Sequence, residues 1–327
     1  MKNSSFKVLL SLMLIGFASA FTALITFVPS GCSLQVKQAQ PEAIKPQQTK
    51  INIKIFSKKF SEKKNYAAVV NITGAIQEKG PEYNQKWLLS TIQTLKEDEK
   101  NSAIILFIDS PGGTVYHSDE AYLALKNYKS SGKKVYAYFA TMAASGGYYI
   151  GCSADKIYAN RNCITGSIGV ISASAMDATE LLKKLGIKSK TIHAGKNKNM
   201  LNYNEPMTDE QIAIMQSLAD ECYDQFTEIV AESREMRIED VRKLADGRIY
   251  SAKQSKENGL IDDVLTFDDC KLLVSKELNI DYDSFKYFKY SKPDNLRSIL
   301  MECISFIKNP QAAWTPGSAM YYLYTTY

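Results

Sequence analysis

The stretch Met142-Ala143-Ala144-Ser145-Gly146-Gly147-Tyr148-Tyr149 decides how this chain is read. It follows Val135–Ala140, a run with the length and composition of a strand, and enters an apolar, helix-like segment. Small residues around Ser145 allow a sharp turn. A serine at a strand-to-helix turn can present its Oγ to a substrate while its neighbour's N–H faces an oxyanion. Taken alone, Ser145 fits a helix N-cap equally well. Upstream, Asp109-Ser110-Pro111-Gly112-Gly113 leaves another strand-like run, Ala103–Asp109. Pro111 fixes one φ and the glycines open φ values closed to other residues, so this turn can aim backbone N–H groups into a cleft. A Pro-Gly-Gly by itself is as readily an ordinary loop. Two such turns joined by one helix and one strand are a far less accidental pattern.

Working outward, further strands are predicted at Tyr66–Ile72, Lys156–Ala159, Ile168–Ala173 and Ile187–Ile192, each bounded by polar or turn residues. Leu88, Ile92 and Leu95 share one helical face, as do Ala121, Leu125 and Tyr128, and this alternation argues for an α/β domain. Thr208-x-x-Gln211 and Ser251-x-x-Gln254 fit the helix capping box, and Gly247 and Gly259 fit helix C-terminal stops, so the second half reads as mainly helical. No internal repeat is visible.

The chain has 327 residues, 45% hydrophobic and 23% charged, which is the composition of a globular protein. Its formal charge of +5 is mild and its lysines are scattered, which argues against nucleic acid as a partner. Residues 1–28 stand apart: Lys2 and Lys7 precede an uncharged, mostly apolar run from Val8 to Val28, long enough to cross a bilayer. We read it as an uncleaved membrane anchor. A signal peptide cleaved at Ala18-Ser19-Ala20 and a lipoprotein modified at Cys32 are the alternatives. Residues 29–50, rich in Gln and Pro, read as a linker, 51–275 as the catalytic domain, and 276–327 as a C-terminal extension whose aromatic end is either an interaction segment or disordered.

The run Ile108-Asp109-Ser110-Pro111-Gly112-Gly113, the serine segment, Ala154-Asp155-Lys156-Ile157-Tyr158-Ala159 and Thr165-Gly166-Ser167-Ile168-Gly169-Val170 together closely resemble the signal peptide peptidase A family. The resemblance continues through Gly195–Lys198, Pro206-Met207-Thr208, Ala245-Asp246-Gly247-Arg248-Ile249-Tyr250 and Gly259-Leu260-Ile261-Asp262, and covers about residues 65–270 in order. It implies a fold of the Clp protease and crotonase group, built on repeated ββα units. It also implies a serine endopeptidase that degrades signal peptides and other apolar peptides outside the cytoplasm, at the bacterial cytoplasmic membrane.

The serine needs a base. The chain has only His117 and His193. Neither lies where a Clp-type histidine is expected, and His117 reads as a surface or helix-start residue. The family motif places a lysine base at Lys198, with Lys196 as rival. A free lysine is neutral only about 0.04% of the time at pH 7, so a lysine that acts as base must be desolvated. On this reading Ser145 attacks the scissile carbonyl, Lys198 takes its proton and returns it to the leaving amine, and water releases the acyl-enzyme. Gly113 and Gly146 are the expected oxyanion donors, with Gly112 as the fallback, and Ser167 is expected to orient the lysine. Family resemblance further implies a homo-oligomeric ring in which neighbours share each site. Cys32, Cys152, Cys163, Cys222, Cys270 and Cys303 form no Cys-x-x-Cys pair, so we expect neither a metal nor a cofactor, and Cys152 reads as a core residue. A crotonase-type acyl-CoA enzyme and an inactive envelope scaffold are the competing classes.

Overall fold

The computed structural model describes residues 65–292 and the backbone of 321–323. The anchor and linker assignments at Val8–Val28 and 29–50 therefore lie outside the described residues. Among those described, no helix is long and apolar enough to cross a membrane.

The central sheet grows from apolar runs that are buried on both faces, the pattern expected of parallel strands covered by helices. β1 (Tyr66–Thr73), β2 (Asn101–Ser110) and β4 (Lys134–Ala144) lie side by side and parallel. Alternation along each strand divides its residues between two cores. Ala68, Val70, Ile104 and Leu106 face α1 (Gln85–Glu97) and α2 (Val115–Lys129), which contribute Leu88, Ile92, Leu95, Ala121, Leu125 and Tyr128. Ala67, Val69, Ala103, Ile105 and Tyr136 face the opposite way, toward Cys270 and Val274 of α8 (Phe267–Leu278). Each fully buried aliphatic side chain in these cores contributes about 2 kcal/mol.

The sheet order is β7-β6-β4-β2-β1-β9, with β5 (Lys156–Ala159) also against β4 and β8 (Asp263–Val264) against β5. β9 (Phe285–Phe288) extends the sheet beyond β1 in parallel, while β7 (Ile249–Ser251) is antiparallel to β6 (Ile164–Gly166). The short β3 (Gly112–Thr114) and α3 (Gly146–Gly151) follow β2 and β4 respectively. This mixed, parallel-rich α/β architecture is the class the sequence implied.

Two of the predicted strands do not form. Ile168–Ala173 and Ile187–Ile192 leave the sheet, and the strand in that region is Ile164–Gly166. The reason is pairing: a β-branched run becomes a strand only beside a partner, and Ile187 and Ile192 instead stand exposed, Ile192 at 91%. From about residue 171 to the middle of α5 (Asp209–Arg234) the chain forms an arm, carrying the short α4 (Thr179–Lys184), in which apolar side chains such as Met176, Leu181, Leu185 and Ile212 are exposed. The first buried residue of α5 is Phe226.

The predicted helix boundaries form as expected. Thr208 and Ser251 each close a reciprocal capping box with Gln211 and Gln254, starting α5 and α7 (Ala252–Glu257). α6 (Ile238–Leu244) ends just before Gly247. At the end of α7, Gly259 adopts φ +75°, its N–H donates to Lys256 C=O, and the Leu260 N–H donates to Ser255 C=O, a Schellman stop.

Candidate active site

β4 outlasts the strand its sequence suggested, and the extra residues build the site. Tyr136 to Phe139 pair with β5, whereas Met142 to Ala144 change partner and pair with β6. The register against β2 slips in the same place, between Ile108 and Ser110, where Asp109 Oδ1 accepts from the Met142 N–H at 3.2 Å. The strand thereby ends beside the Ser110–Gly113 turn, and the next residue is Ser145.

Ser145 adopts φ 53° and ψ −119° and is 1% exposed. A side chain in this region costs about 1–3 kcal/mol and persists only where its surroundings enforce it. Its N–H donates to Gly166 C=O at 2.8 Å and its C=O accepts from Tyr149 N–H at 2.9 Å. Although Ser145 occupies the N-cap position of α3, its side chain makes no capping hydrogen bond. The helix therefore does not consume its Oγ.

The glycines around it are there because nothing larger fits. A Cβ on Gly146 would stand 2.3 Å from Ser118 Oγ, 3.2 Å from the Gly113 nitrogen and 3.4 Å from Gly112 Cα. A Cβ on Gly113 would fall 1.9 Å from Ile76 C=O. Gly112, at φ +104°, makes the turn, and its N–H donates to Ser110 Oγ at 3.1 Å, while Ser110 Oγ donates to Gly74 C=O at 2.6 Å. β3 is held on one side by Ile76, whose N–H donates to Gly112 C=O and whose C=O accepts from Thr114 N–H. Strand alternation turns the N–H of Gly113 to the other edge. Gly146 opens α3, where first-turn N–H groups lack intrahelical acceptors.

That other edge of β3 is itself paired. Residues Tyr321–Leu323 form β10, antiparallel to it, with Tyr322 opposite Gly113. Apart from the aromatic character of the C-terminal segment, nothing in the sequence points to this pairing.

Ser167, at φ 50° and 7% exposed, is tied in through Gly166, whose C=O accepts from Ser145, and through its own N–H, which donates to Arg248 C=O at 2.8 Å. Ser145, Gly146, Gly112, Gly113 and Ser167 are thus brought together. Lys198 is not. It stands exposed on the arm, and among the described residues its ammonium makes no hydrogen bond or ion pair, with Ser145 or otherwise. Lys196 differs: its ammonium pairs with Glu210, whose pKa it lowers, and Asn197 Nδ2 donates to the same carboxylate.

His117 lies in the first turn of α2, half-buried, with Nδ1 2.5 Å from Thr114 Oγ1, and burial lowers its pKa. Ser118, buried beneath Gly146 and donating to Thr114 C=O at 2.9 Å, had no signal in the sequence, since a serine in the first turns of a helix is unremarked. Arg248, whose carbonyl holds Ser167, lies in the Asp246-Gly247-Arg248 motif to which no role had been attached. Among the described residues, no three His, Cys, Asp or Glu side chains gather as a metal site. Cys152 is buried, as read from the sequence, and burial pushes its thiol and those of Cys163 and Cys270 up to about 12.

A serine at a strained strand-to-helix turn beside a glycine strand is the arrangement that a nucleophile on an α/β scaffold requires. The model of peptidase family S49 matches residues 127–281. The slr0021 protein of Synechocystis sp. is 37% identical over 229 residues, covering 70% of this chain and 80% of its own. The chloroplastic serine protease SPPA of Arabidopsis thaliana is 32% identical over 198 residues, 60% of this chain and 29% of its own. Protease 4 of Haemophilus influenzae is 31% identical over 208 residues, 63% of this chain and 34% of its own. The chain thus spans about a third of the length of these last two relatives. It belongs to peptidase family S49, the signal peptide peptidase A family of serine peptidases.

Proposed function

We propose that this chain is a membrane-anchored serine endopeptidase with a Ser145–Lys198 dyad, acting outside the cytoplasm on apolar peptides, spent signal peptides among them. The observation that carries the reading is the Ser145 turn: a side chain held at a costly φ with its Oγ not consumed by the helix it precedes. In the proposed reaction Ser145 Oγ attacks the scissile carbonyl and forms the ester while Lys198 accepts the proton. The resulting ammonium protonates the leaving amine, and water, deprotonated by the same lysine, hydrolyses the ester. The N–H groups of Gly113 and Gly146 stabilise the oxyanion. We favour Gly113 over Gly112 because the Gly112 N–H donates to Ser110 within its own turn, whereas the edge that Gly113 presents is covered by a separate segment, β10. Lys198 is favoured over Lys196 because the Lys196 ammonium is paired with Glu210. Ser167, next to the Gly166 carbonyl that holds Ser145, is assigned to orient the lysine.

A lysine base has to be desolvated, and within one chain Lys198 is exposed. The reading therefore includes a homo-oligomeric ring in which the arm of one copy brings Lys198 to Ser145 of the next, burying the apolar side chains exposed on that arm. The span Val8–Val28 would hold the ring at the membrane.

A fluorophosphonate or peptide-aldehyde probe should label Ser145, and Ser145→Ala and Lys198→Ala should each abolish peptide hydrolysis while Lys196→Ala and His117→Ala retain it. Near-normal turnover by Lys198→Ala would remove the dyad. The two inactive variants, unfolded and refolded together at equal amounts, should recover activity at about a quarter of sites if neighbours share them. Mixed assemblies that form yet stay inactive would reject sharing.

A further inference from the structure

A single helix, α5, runs from the loop of Lys198 to the helix of Ser145. Its first turn lies on the arm, where Glu210 accepts from Asn197 Nδ2 at 3.1 Å and pairs with Lys196, the two residues just before Lys198. Leu201, just after it, lines one pocket together with Ile212 and Met215 of α5. At the other end the helix enters the body. Its first buried residue, Phe226, places its ring 5.0 Å from that of Tyr149 in α3, whose N–H donates to Ser145 C=O at 2.9 Å.

Where α5 passes from its exposed half to its buried half, three side chains close a triangle. The Tyr149 hydroxyl donates to Asp119 Oδ1 at 2.6 Å, and Gln225 Nε2 donates to the Tyr149 oxygen at 2.6 Å and to Asp119 Oδ1 at 3.1 Å. The three residues come from α2, α3 and α5, so the triangle ties the arm helix to both helices that flank the serine turn. The ring of Tyr149 is already packed between Phe226 and Tyr122. What the polar triangle adds is direction, since hydrogen bonds are angular where apolar contacts are not. From Gln225 to Glu210 is about 22 Å of helix, so a tilt of about 5° at Gln225 displaces the first turn by about 2 Å. A misplacement of about 1 Å at a reacting group can cost about a hundredfold in rate.

We infer that Asp119, Tyr149 and Gln225 are positioning residues for the lysine base: the triangle fixes the direction in which α5 leaves the body, and with it the place at which the arm holds Lys198. They act through the arm, not on the substrate. The inference rests on the proposed role of Lys198 for its consequence and on the triangle for its geometry.

Gln225→Glu in the full-length chain tests it, because it removes the amide donor and sets a second carboxylate against that of Asp119. Gln225 is exposed, so the change leaves the cores intact. Adding Asp119→Asn exchanges amide and carboxylate across the pair and restores a donor opposite an acceptor. For a short reporter peptide, Gln225→Glu should lower kcat about a hundredfold with KM within about threefold of the parent. The double variant should recover at least about tenfold of that loss, which a general weakening of the fold would not allow. Unchanged kcat in Gln225→Glu would overturn the inference, and so would a loss that Asp119→Asn leaves unrelieved. Independently of turnover, amide exchange over 219–228 should accelerate several-fold when Gln225→Glu is built on Ser145→Ala, and should slow again when Asp119→Asn is added. Unaltered exchange would overturn the fastening of α5. Near-normal turnover by Lys198→Ala would instead count against the dyad, while the exchange experiment would still decide whether the triangle holds the helix.

Discussion

Replacing Gly146 by alanine puts a methyl group against a buried side chain of the site, Ser118. The position is helical and has no positive φ, so the backbone accepts alanine and gains about 0.5–1 kcal/mol of helix propensity. The cost is steric. The new Cβ would stand 2.3 Å from Ser118 Oγ, so that hydroxyl must swing away from Thr114 C=O, its acceptor at 2.9 Å. Overpacking of a close core contact costs about 1–3 kcal/mol and the lost hydrogen bond about 1 kcal/mol, which leaves a net loss of about 2 kcal/mol. For a folded body of this size that is a fall in Tm of about 4–8 °C. Ser118→Ala, which removes the same hydroxyl, should lose about 1 kcal/mol, or about 2–4 °C. If the Oγ is the obstacle, the double variant should melt close to Ser118→Ala, with a coupling of about 2 kcal/mol between the two changes. Peptide hydrolysis should not recover with stability, because the added methyl still lies 3.2 Å from the Gly113 nitrogen, between the two proposed oxyanion donors. Circular-dichroism melts of the four proteins, with turnover measured on each, provide the cycle. Additive Tm losses, or a Gly146→Ala protein that melts and turns over like the parent, would refute this account of the packing.

Ser145→Gly should raise Tm by a few degrees while abolishing hydrolysis, since glycine relieves a φ of 53° that costs about 1–3 kcal/mol; Ser145→Ala should be equally inactive with no such gain. Asp262 is pushed up by burial, but the Ile157 N–H, Arg234 and Lys156 outweigh this and hold its carboxyl below the ordinary carboxylate range. Its ionised form therefore stabilises the fold above the unfolded-state pKa of about 4, and that contribution is lost as pH falls through the lower folded value. Asp262→Asn should accordingly lower Tm clearly at pH 7, with the difference from the parent shrinking in melts recorded below about pH 4. Cys152, Cys163 and Cys270, buried and with thiols near 12, should resist iodoacetamide at pH 8 in the native protein and react once denaturant is added, as followed by mass spectrometry of their peptides.

The strands that seat the nucleophile were legible because they are long and buried on both faces. Lys156–Ala159 was read to the residue, and Tyr66–Ile72, Ala103–Asp109 and Val135–Ala140 were short by a few residues at their ends. What was missed at the end of β4 matters most. Thr141 to Ala144 carries no β-branched run, and its extension exists because β6 and the bulge against β2 receive it. β6, β7 and β8 are two or three residues long, too short for any periodicity, and are strands only by virtue of their neighbours. Conversely, Ile187–Ile192 has the composition of a strand and no strand partner among the described residues. Ser145 and its glycines were legible because a turn that tight restricts residue type locally. The Ser118 contact and the β10 pairing were not, because each depends on distant segments meeting.

The site divides into a part that the single chain completes and a part that it does not. Around Ser145 the pieces interlock: Gly146 excludes a side chain because Ser118 and Gly113 are already there, Gly113 excludes one because Ile76 is there, and Gly166 both holds the Ser145 N–H and packs against Tyr250. Such mutual exclusion is what sustains a strained serine, since relaxing its φ would require several packed neighbours to move at once. Lys198 has no comparable support. Its loop is held through Asn199, which bonds to Glu205 and Asn202, and Asn204, which bonds to Ser189 and Thr191, all on the same arm. These bonds shape the loop without joining it to the sheet. A nucleophile preorganised within the fold and a proposed base preorganised only within its own arm make chemistry conditional on what brings the arm to a serine. In the proposed assembly, burial of the apolar side chains that the arm exposes would provide the driving force for that step.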